Sequence, residues 1–298
     1  MDSTIMFGNG INLLGGGRTW NELLLDISEK QFMPPISSNT LKYEYIILPQ
    51  DEITDVNVVT SDGHHIKTSD GKLWSVIVNT ENNLKRNLCL ELKKQAPSYF
   101  YSKLANLKAN HFITTNYELF LNKIFIDIGY SKKTICDNDN KLYNHEVFES
   151  NDHTVSVWNI HGDVKHEPSI MLGLSDYCKY VSAIDTYLNS SVDKSERCWI
   201  DLLFNSDVYI LGLGMAYEEI DIWNVLTTRM RLKRKDKSSC NNHIYYYAIQ
   251  DESFDTGKKK LLEAMGVEVV DVALDGSDKA YVNAYENIYK HLFDLINK

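Results

Sequence analysis

The sequence predicts an α/β fold built on a mostly parallel sheet, and three observations predict it. Short apolar, β-prone runs alternate with helically spaced segments at least five times along the chain. Each run ends in glycine or polar punctuation: Gly8-Asn9-Gly10, Thr115-Asn116, His161-Gly162, Gly212-Leu213-Gly214 and Gln250-Asp251. The 298 residues, 43% of them hydrophobic, suffice to bury a large core.

Residues 3–7 form a β-prone run stopped by the first glycines, after which Trp20, Leu23, Leu24 and Ile27 recur at helical spacing. Residues 41–48 read two ways. Their aromatic and β-branched content favours a strand, while the Pro34-Pro35 pair ahead of them suits a helix start. Residues 51–80 hold the turn signals Asp62-Gly63 and Asp70-Gly71 between valine-rich flanks, which predicts a peripheral hairpin insertion. A helical stretch over about 81–108 leads to a strand at 111–115, a helix at 119–128 and a strand at 155–160. Helical text over 175–205 makes up most of a helical insertion expected at 165–206. A strand at 208–211, a helix at 218–233, a strand at 244–249, a helix at 258–265, a strand at 267–272 and a helix from about 277 complete the chain.

Composition excludes several classes. The longest apolar stretch, residues 208–217, contains two glycines and is far short of the roughly 20 residues that cross a bilayer. The start Met1-Asp2-Ser3-Thr4 has no basic n-region, so a cytoplasmic protein is expected. The five cysteines, at 89, 136, 178, 198 and 240, form no Cys-x-x-Cys pair and fit neither a disulfide framework nor a zinc ribbon. A net charge of -10 argues against direct nucleic-acid binding. The basic run at 229–237 and Lys258 to Lys260 read as solvated helix ends, with a partner contact as the sharper alternative. Tyr281, Tyr285, Tyr289 and Phe293 make one helical stripe, to be packed on the sheet or presented to a partner.

In an open parallel sheet the carboxyl ends of the strands share one edge, and ligands bind in the crevice outside it, so five punctuated strand ends should converge on one site. Gly8-Asn9-Gly10 has the placement of a phosphate-binding turn, although Leu13 breaks the full Gly-x-Gly-x-x-Gly pattern. Gly15-Gly16-Gly17 implies a mobile or ligand-hugging loop. His161, after an apolar strand, reads as a general base or as a structural histidine. Asn116 reads as a group that positions a water or a ribose hydroxyl, or as a helix N-cap. Asp221 reads as a solvent-facing helix carboxylate or as a brace for the ligand loops.

Taken in order, Gly8-Asn9-Gly10-Ile11-Asn12 before Trp20 and a Leu-rich helix, Thr114-Thr115-Asn116-Tyr117-Glu118, Ile160-His161-Gly162, and Gly212-Leu213-Gly214 with Glu219-Ile220-Asp221 resemble the sirtuin-like NAD hydrolases of bacterial antiphage defence. Tyr246-Tyr247-Ala248-Ile249 and Gly266-Val267-Glu268-Val269-Val270 resemble that family's closing strands. The resemblance implies a single Rossmann-like, doubly wound NAD-binding domain over 1–298, with NAD as substrate. It implies that Asn116 and His161 act at the nicotinamide ribose, that residues 8–12 form the first phosphate loop, and that Thr115 is among the NAD-binding residues. Gly212 and Gly214 would contact phosphate or ribose, Asp221 would brace the ligand loops, and Gln250 or Asp251 would face the adenosine. Glu118 stands where relatives often carry Asp, facing the nicotinamide amide.

Three departures qualify the resemblance. Sirtuin deacylases carry Gly-Ala-Gly-x-Ser in the first loop, a Pro-Asp-Phe-Arg segment after it and two zinc-binding Cys pairs; this chain has Asn9 and Asn12, and neither of the other features. The zinc module and its acyl-lysine groove are therefore expected to be absent, and NAD cleavage is expected rather than deacylation. The resemblance further implies restraint by a homo-oligomer or a defence-system partner. The alternative is a sensor that binds NAD or an ADP-ribose compound without turnover.

Overall fold

The computed structural model describes residues 2–28, 35–48, 74–136, 141–190, 198–250 and 255–297. In chain order it contains β1 (Ser3–Phe7), α1 (Gly10–Leu13), α2 (Trp20–Ser28), α3 (Asn39–Ile47), α4 (Trp74–Lys93), α5 (Phe100–Ala105), β2 (His111–Thr114), α6 (Phe120–Asp127), β3 (Ser131–Cys136) and β4 (His145–Glu149). β5 (Thr154–Asn159), α7 (Leu174–Asn189), α8 (Trp199–Asn205), β6 (Asp207–Leu211), α9 (Ile220–Lys235), β7 (Ile244–Gln250), α10 (Thr256–Ala264), β8 (Glu268–Ala273) and α11 (Ala280–Ile296) follow.

The strands form one eight-stranded sheet in the order β3-β4-β5-β2-β1-β6-β7-β8. The six from β5 to β8 are parallel, and β3 and β4 run antiparallel at one edge. Numbered among themselves along the chain, the six parallel strands lie 3-2-1-4-5-6, the order of doubly wound dinucleotide folds. The order reverses between β1 and β6, where Phe7 pairs with Leu211, so the glycine turns that follow these strands lie side by side.

The central strands are apolar on both faces because both are covered. Ile5 and Phe7 of β1, Phe112 of β2 and Leu211 of β6 pack with α5, α6 and α11. Their neighbours Met6, Ile113 and Ile210 pack on the other side with α7, α8, α9 and α10. A third cluster, from α2, α3 and α4, closes on Tyr117, Ile170 and Leu172 and so roofs the ends of β2 and β5.

Local chemistry sets the boundaries. Residues 41–48 resolve as helix: Ser38, extended, accepts the N–H of Leu41 and starts α3. The helical stretch expected to 108 breaks after α4, and Pro97 stands in the gap before α5. Residues 51–73, with both Asp-Gly turns and His64 and His65, lie outside the described residues. Residues 74–80, expected within that hairpin segment, instead form the first turns of α4. Within the 175–205 segment the described residues form two helices, α7 and α8.

The 229–237 run also divides. Arg229 is fully buried, and its Nη2 donates to the backbone carbonyl and Oδ1 of Asn242 at 2.7 and 2.8 Å, which ties α9 to the approach of β7. Arg231, Arg234, Lys235 and Lys237 are exposed. On α11, Tyr285 is buried and Tyr281 and Tyr289 pack into the core, so these three residues of the aromatic stripe serve the chain's own sheet, whereas Phe293 is exposed. Among the described residues no helix is long and apolar enough to cross a membrane.

Candidate functional site

A cavity of about 410 Å³ opens at the carboxyl ends of β1, β2, β6 and β7, over the reversal point of the sheet. Its floor is the meeting of the two glycine turns: Gly10 N–H donates to the carbonyl of Gly212 at 2.8 Å. A Cβ on Gly10 would stand 2.6 Å from the Tyr285 hydroxyl and 2.8 Å from Gly212 Cα, so this close approach requires glycine. Of the residues singled out from the sequence, Asn9, Gly10, Thr115, Gly212 and Gly214 line the cavity.

The others are placed differently. Ile11 and Asn12 are buried in the single turn of α1 beneath the floor. Gly8 packs against Leu213 and the Gly212 carbonyl, off the cavity wall. Gly15 and Gly17 close α1 by donating to the Asn12 carbonyl, and Gly15, Gly16 and Gly17 do not line the cavity. Gln250 is exposed at the end of β7, away from the wall, and Asp251 lies outside the described residues. Asn116, Glu118, His161 and Asp221 are all buried behind the wall.

Asn116 belongs to a polar network. Leu119 occupies the N-cap position of α6, and the Asn116 amide instead donates to the Tyr101 hydroxyl at 3.1 Å, so Asn116 does not cap that helix. Asn12 Nδ2 donates to Asn9 Oδ1 at 2.9 Å and to Glu118 Oε1 at 2.7 Å. The Tyr101 hydroxyl lies 2.8 Å from Asn12 Oδ1 and 2.7 Å from Glu118 Oε1. Burial and the Glu118 carboxylate hold Tyr101 well above the usual phenol range, so it stays a neutral donor. Satisfied networks of this kind fix side-chain rotation, and this one joins the first glycine turn to the end of β2. Tyr101 was not legible in the sequence, where it is one aromatic on a helix.

His161 follows β5, and Asp221 occupies the first turn of α9. His161 Nε2 lies 2.8 Å from Asp221 Oδ2, and both side chains are almost fully buried. The solvent-facing reading of Asp221 is therefore overturned. A carboxylate only accepts, so the ring nitrogen that faces Asp221, Nε2, carries a proton. Asp221 Oδ1 has no partner among the described residues. The imidazole is edged by Tyr177 and Tyr180, with ring centroids at 5.5 and 6.4 Å.

Two further features escaped the sequence reading. Lys258 and Lys259 line the cavity instead of ending a solvated helix, and Lys258 Nζ donates to the Gly214 carbonyl at 2.9 Å, which places cations where a polyanion would lie. Glu219, half-buried, lines the cavity and accepts the Ala216 N–H at 3.0 Å. Burial, reinforced by the Asp221 carboxylate, pushes Glu219 up to about 7 against the pull of His161. Its carboxyl titrates near 4.5 when unfolded, so the stability it contributes is complete below 4.5 and is lost as pH rises through about 7. Glu219→Gln is accordingly expected to melt higher than wild type at pH 8, by the equivalent of about 2 kcal/mol, and no higher at pH 4. Parallel thermal melts check this; equal melting at pH 8 would refute it.

Cys89, Cys178, Cys198 and Cys240 are free thiols, and burial pushes Cys89 and Cys198 up to about 11. Among the described residues no cluster of three or more His, Cys, Asp or Glu is placed to hold a metal. No curated protein matches the chain. A family model described as SIR2-like domain matches residues 110–270, from the approach to β2 into β8, while β1 and its glycine turn lie outside the matched span. Domains of this kind bind NAD and are in general NAD-dependent enzymes. With more than half of its residues matched, and with the parallel sheet and floor just described, the chain belongs to the SIR2-like domain family.

Proposed function

We propose that the protein hydrolyses NAD to nicotinamide and ADP-ribose, as a regulated, cytoplasmic effector of antiphage defence that acts by NAD depletion. The observation that carries this reading is the cavity over the sheet's reversal point, floored by two glycine turns and backed by the buried His161–Asp221 pair and the Asn116 network. The glycine floor and Lys258 suit a pyrophosphate, which needs close backbone approach and positive charge. Cleavage passes through an oxocarbenium-like ribose, akin to glycoside hydrolysis. Asn116 orients the water or the ribose, and His161 accepts a proton through Nδ1, held ready by Asp221.

The test is nicotinamide release from NAD by the purified protein, alone and with candidate partners. Asn116→Ala and His161→Ala should each nearly abolish release in folded protein, with the double variant little worse than either single, because groups acting as a unit are not additive. Near-normal turnover in both folded singles would sink the assignment. Continuous NAD destruction would poison the producing cell, so the wild type alone should be quiet until an oligomer or a partner releases it.

A second reading rests on a specific observation. Asn116 and His161 stand behind the cavity wall rather than on it, which favours a sensor that binds NAD or ADP-ribose and does not turn it over. A tight complex with intact NAD under every condition would select that reading.

A further inference from the structure

A second, smaller compartment of about 60 Å³ adjoins the main cavity and lies under the α2–α3 roof. Trp20, Asn39, Ala216 and Glu219 line both spaces, so Glu219 stands at their junction. The smaller space adds an aromatic wall of Tyr117 and Tyr177, and Tyr177 also edges the His161 ring. Of the acidic groups around His161, Asp221 lines neither compartment, whereas Glu219 lines both.

Glu219 is held in place from several sides. Ala216 donates its N–H to Glu219 Oε2, and the Ala216 carbonyl accepts from Trp223 Nε1 at 2.9 Å. The neighbouring Glu218 accepts the Asn39 N–H at 3.0 Å, which pins the roof to the same segment. Met215, buried, takes a left-handed φ of 47°, an arrangement costing about 1 kcal/mol or more that persists only where the surroundings impose it. A carboxylate so fixed needs no reorganisation when charge develops beside it.

The charged groups around it include Asp255, Lys258 and Lys259, which line the same cavity. Glu218 and Asp221 are on its own segment, His161 comes from the end of β5, and Tyr117 and Tyr177, both held neutral by burial, come from the β2 end and α7. The junction therefore gathers carboxylates beside aromatic faces, an arrangement that favours a cation.

We infer that Glu219 is a catalytic carboxylate that faces the positive charge of the dinucleotide, first on the pyridinium ring and then on the ribose as the glycosidic bond breaks. This rests on the NAD-cleaving reading and assigns it a residue. In the step, the C1′–N bond breaks and its electron pair neutralises the pyridinium nitrogen. The positive charge passes to C1′ and the ring oxygen, and water adds at C1′. The water's proton goes to His161 and then to solvent, leaving nicotinamide and ADP-ribose. Glu219 exchanges no proton in the step; its ionised form lowers the energy of the charged ribose. The requirement for the ionised form predicts tighter NAD+ binding as pH rises through about 7.

The experiment uses NAD+ and NADH, which differ in ring charge, binding to full-length His161→Ala protein so that turnover does not consume the ligand. NAD+ should bind at least about tenfold more tightly than NADH at pH 8, with the preference shrinking at pH 6. His161→Ala/Glu219→Gln should bind both within about twofold at either pH. In an otherwise wild-type background Glu219→Gln should lower kcat by about 10²–10³-fold, the size of loss seen when a preorganised charge-stabilising group is removed, and should raise KM for NAD+ in step with the lost ground-state preference. Glu219→Asp, which keeps the charge, should retain the ring-charge preference and serves as the second variant if the glutamine form folds poorly. An unchanged NAD+ preference in the glutamine variant, or an unchanged kcat, overturns the assignment. If the wild type releases no nicotinamide under any condition, NAD cleavage fails, while the ring-charge preference still decides the role of Glu219.

Discussion

Asp221→Asn is expected to cut nicotinamide release by about 10³–10⁴-fold in a protein that folds normally. The substitution keeps shape and removes charge, so packing around the fully buried side chain changes little. The proton on the imidazole does change. Asp221 Oδ2 can only accept, whereas an amide in its place can turn its nitrogen toward His161 Nε2 and donate. The ring proton then moves to Nδ1, the nitrogen assigned to receive a proton from the reacting water. The unpartnered Oδ1 shows that the carboxylate has surrendered solvent for this one ring contact. The measurements are nicotinamide release under activating conditions and a thermal melt. Turnover within threefold of wild type would show that Asp221 does not set the state of His161.

The largest stability effect is expected one residue beyond the histidine. Gly162 has a φ of 90°, and an added Cβ would lie 2.2 Å from the Ser169 carbonyl oxygen and 2.4 Å from its carbon. Backbone strain and forced overpacking together cost about 3–5 kcal/mol, a large part of the roughly 5–15 kcal/mol by which domains are stable. The Ser169 side has little freedom to yield, because its hydroxyl accepts the Asp163 N–H and donates to the His166 carbonyl. Gly162→Ala should therefore lower Tm by about 10 °C. Gly16→Ala is the control, since its φ of 76° is similarly left-handed but no atom lies within 4 Å of the new Cβ. A Gly162→Ala melt matching that of the control would mean that the Ser169 loop gives way.

The parallel strands were legible because each combines a short apolar run with a stop at its carboxyl end, a signal that is local in sequence. β3 and β4 carry no such signal. β3 is the edge strand with β4 beside it; both carry charges, with Lys132 and Glu146 paired across them, and the sequence alone assigns no element there. Asn9, Gly10, Thr115, Gly212 and Gly214 were found at the site because a parallel sheet places strand ends together whatever lies between them. The depth of Asn116 and His161 was not readable, since it depends on the α2–α4 roof and on Tyr177 and Tyr180, which come from distant segments. The partnership of His161 with Asp221 spans 60 residues and has no spacing rule to reveal it. Glu219 and Lys258 look like ordinary surface charges until α9 and α10 are folded against the sheet.

The two tyrosines of α11 that overhang the glycine floor bear on how the protein is made. The Tyr281 hydroxyl reaches the Gly10 carbonyl at 3.3 Å, and Tyr285 closes over Gly10 and Gly212. The floor of the cavity and the wall over it are thus joined by a contact between residues 271 positions apart in the sequence. β1 must also wait for β6, two hundred residues downstream, before its second edge is paired. The pocket is therefore unfinished until α11 has been made, and a product cut short before α11 lacks both the wall and the core packing of Tyr285, Ile288 and Leu292.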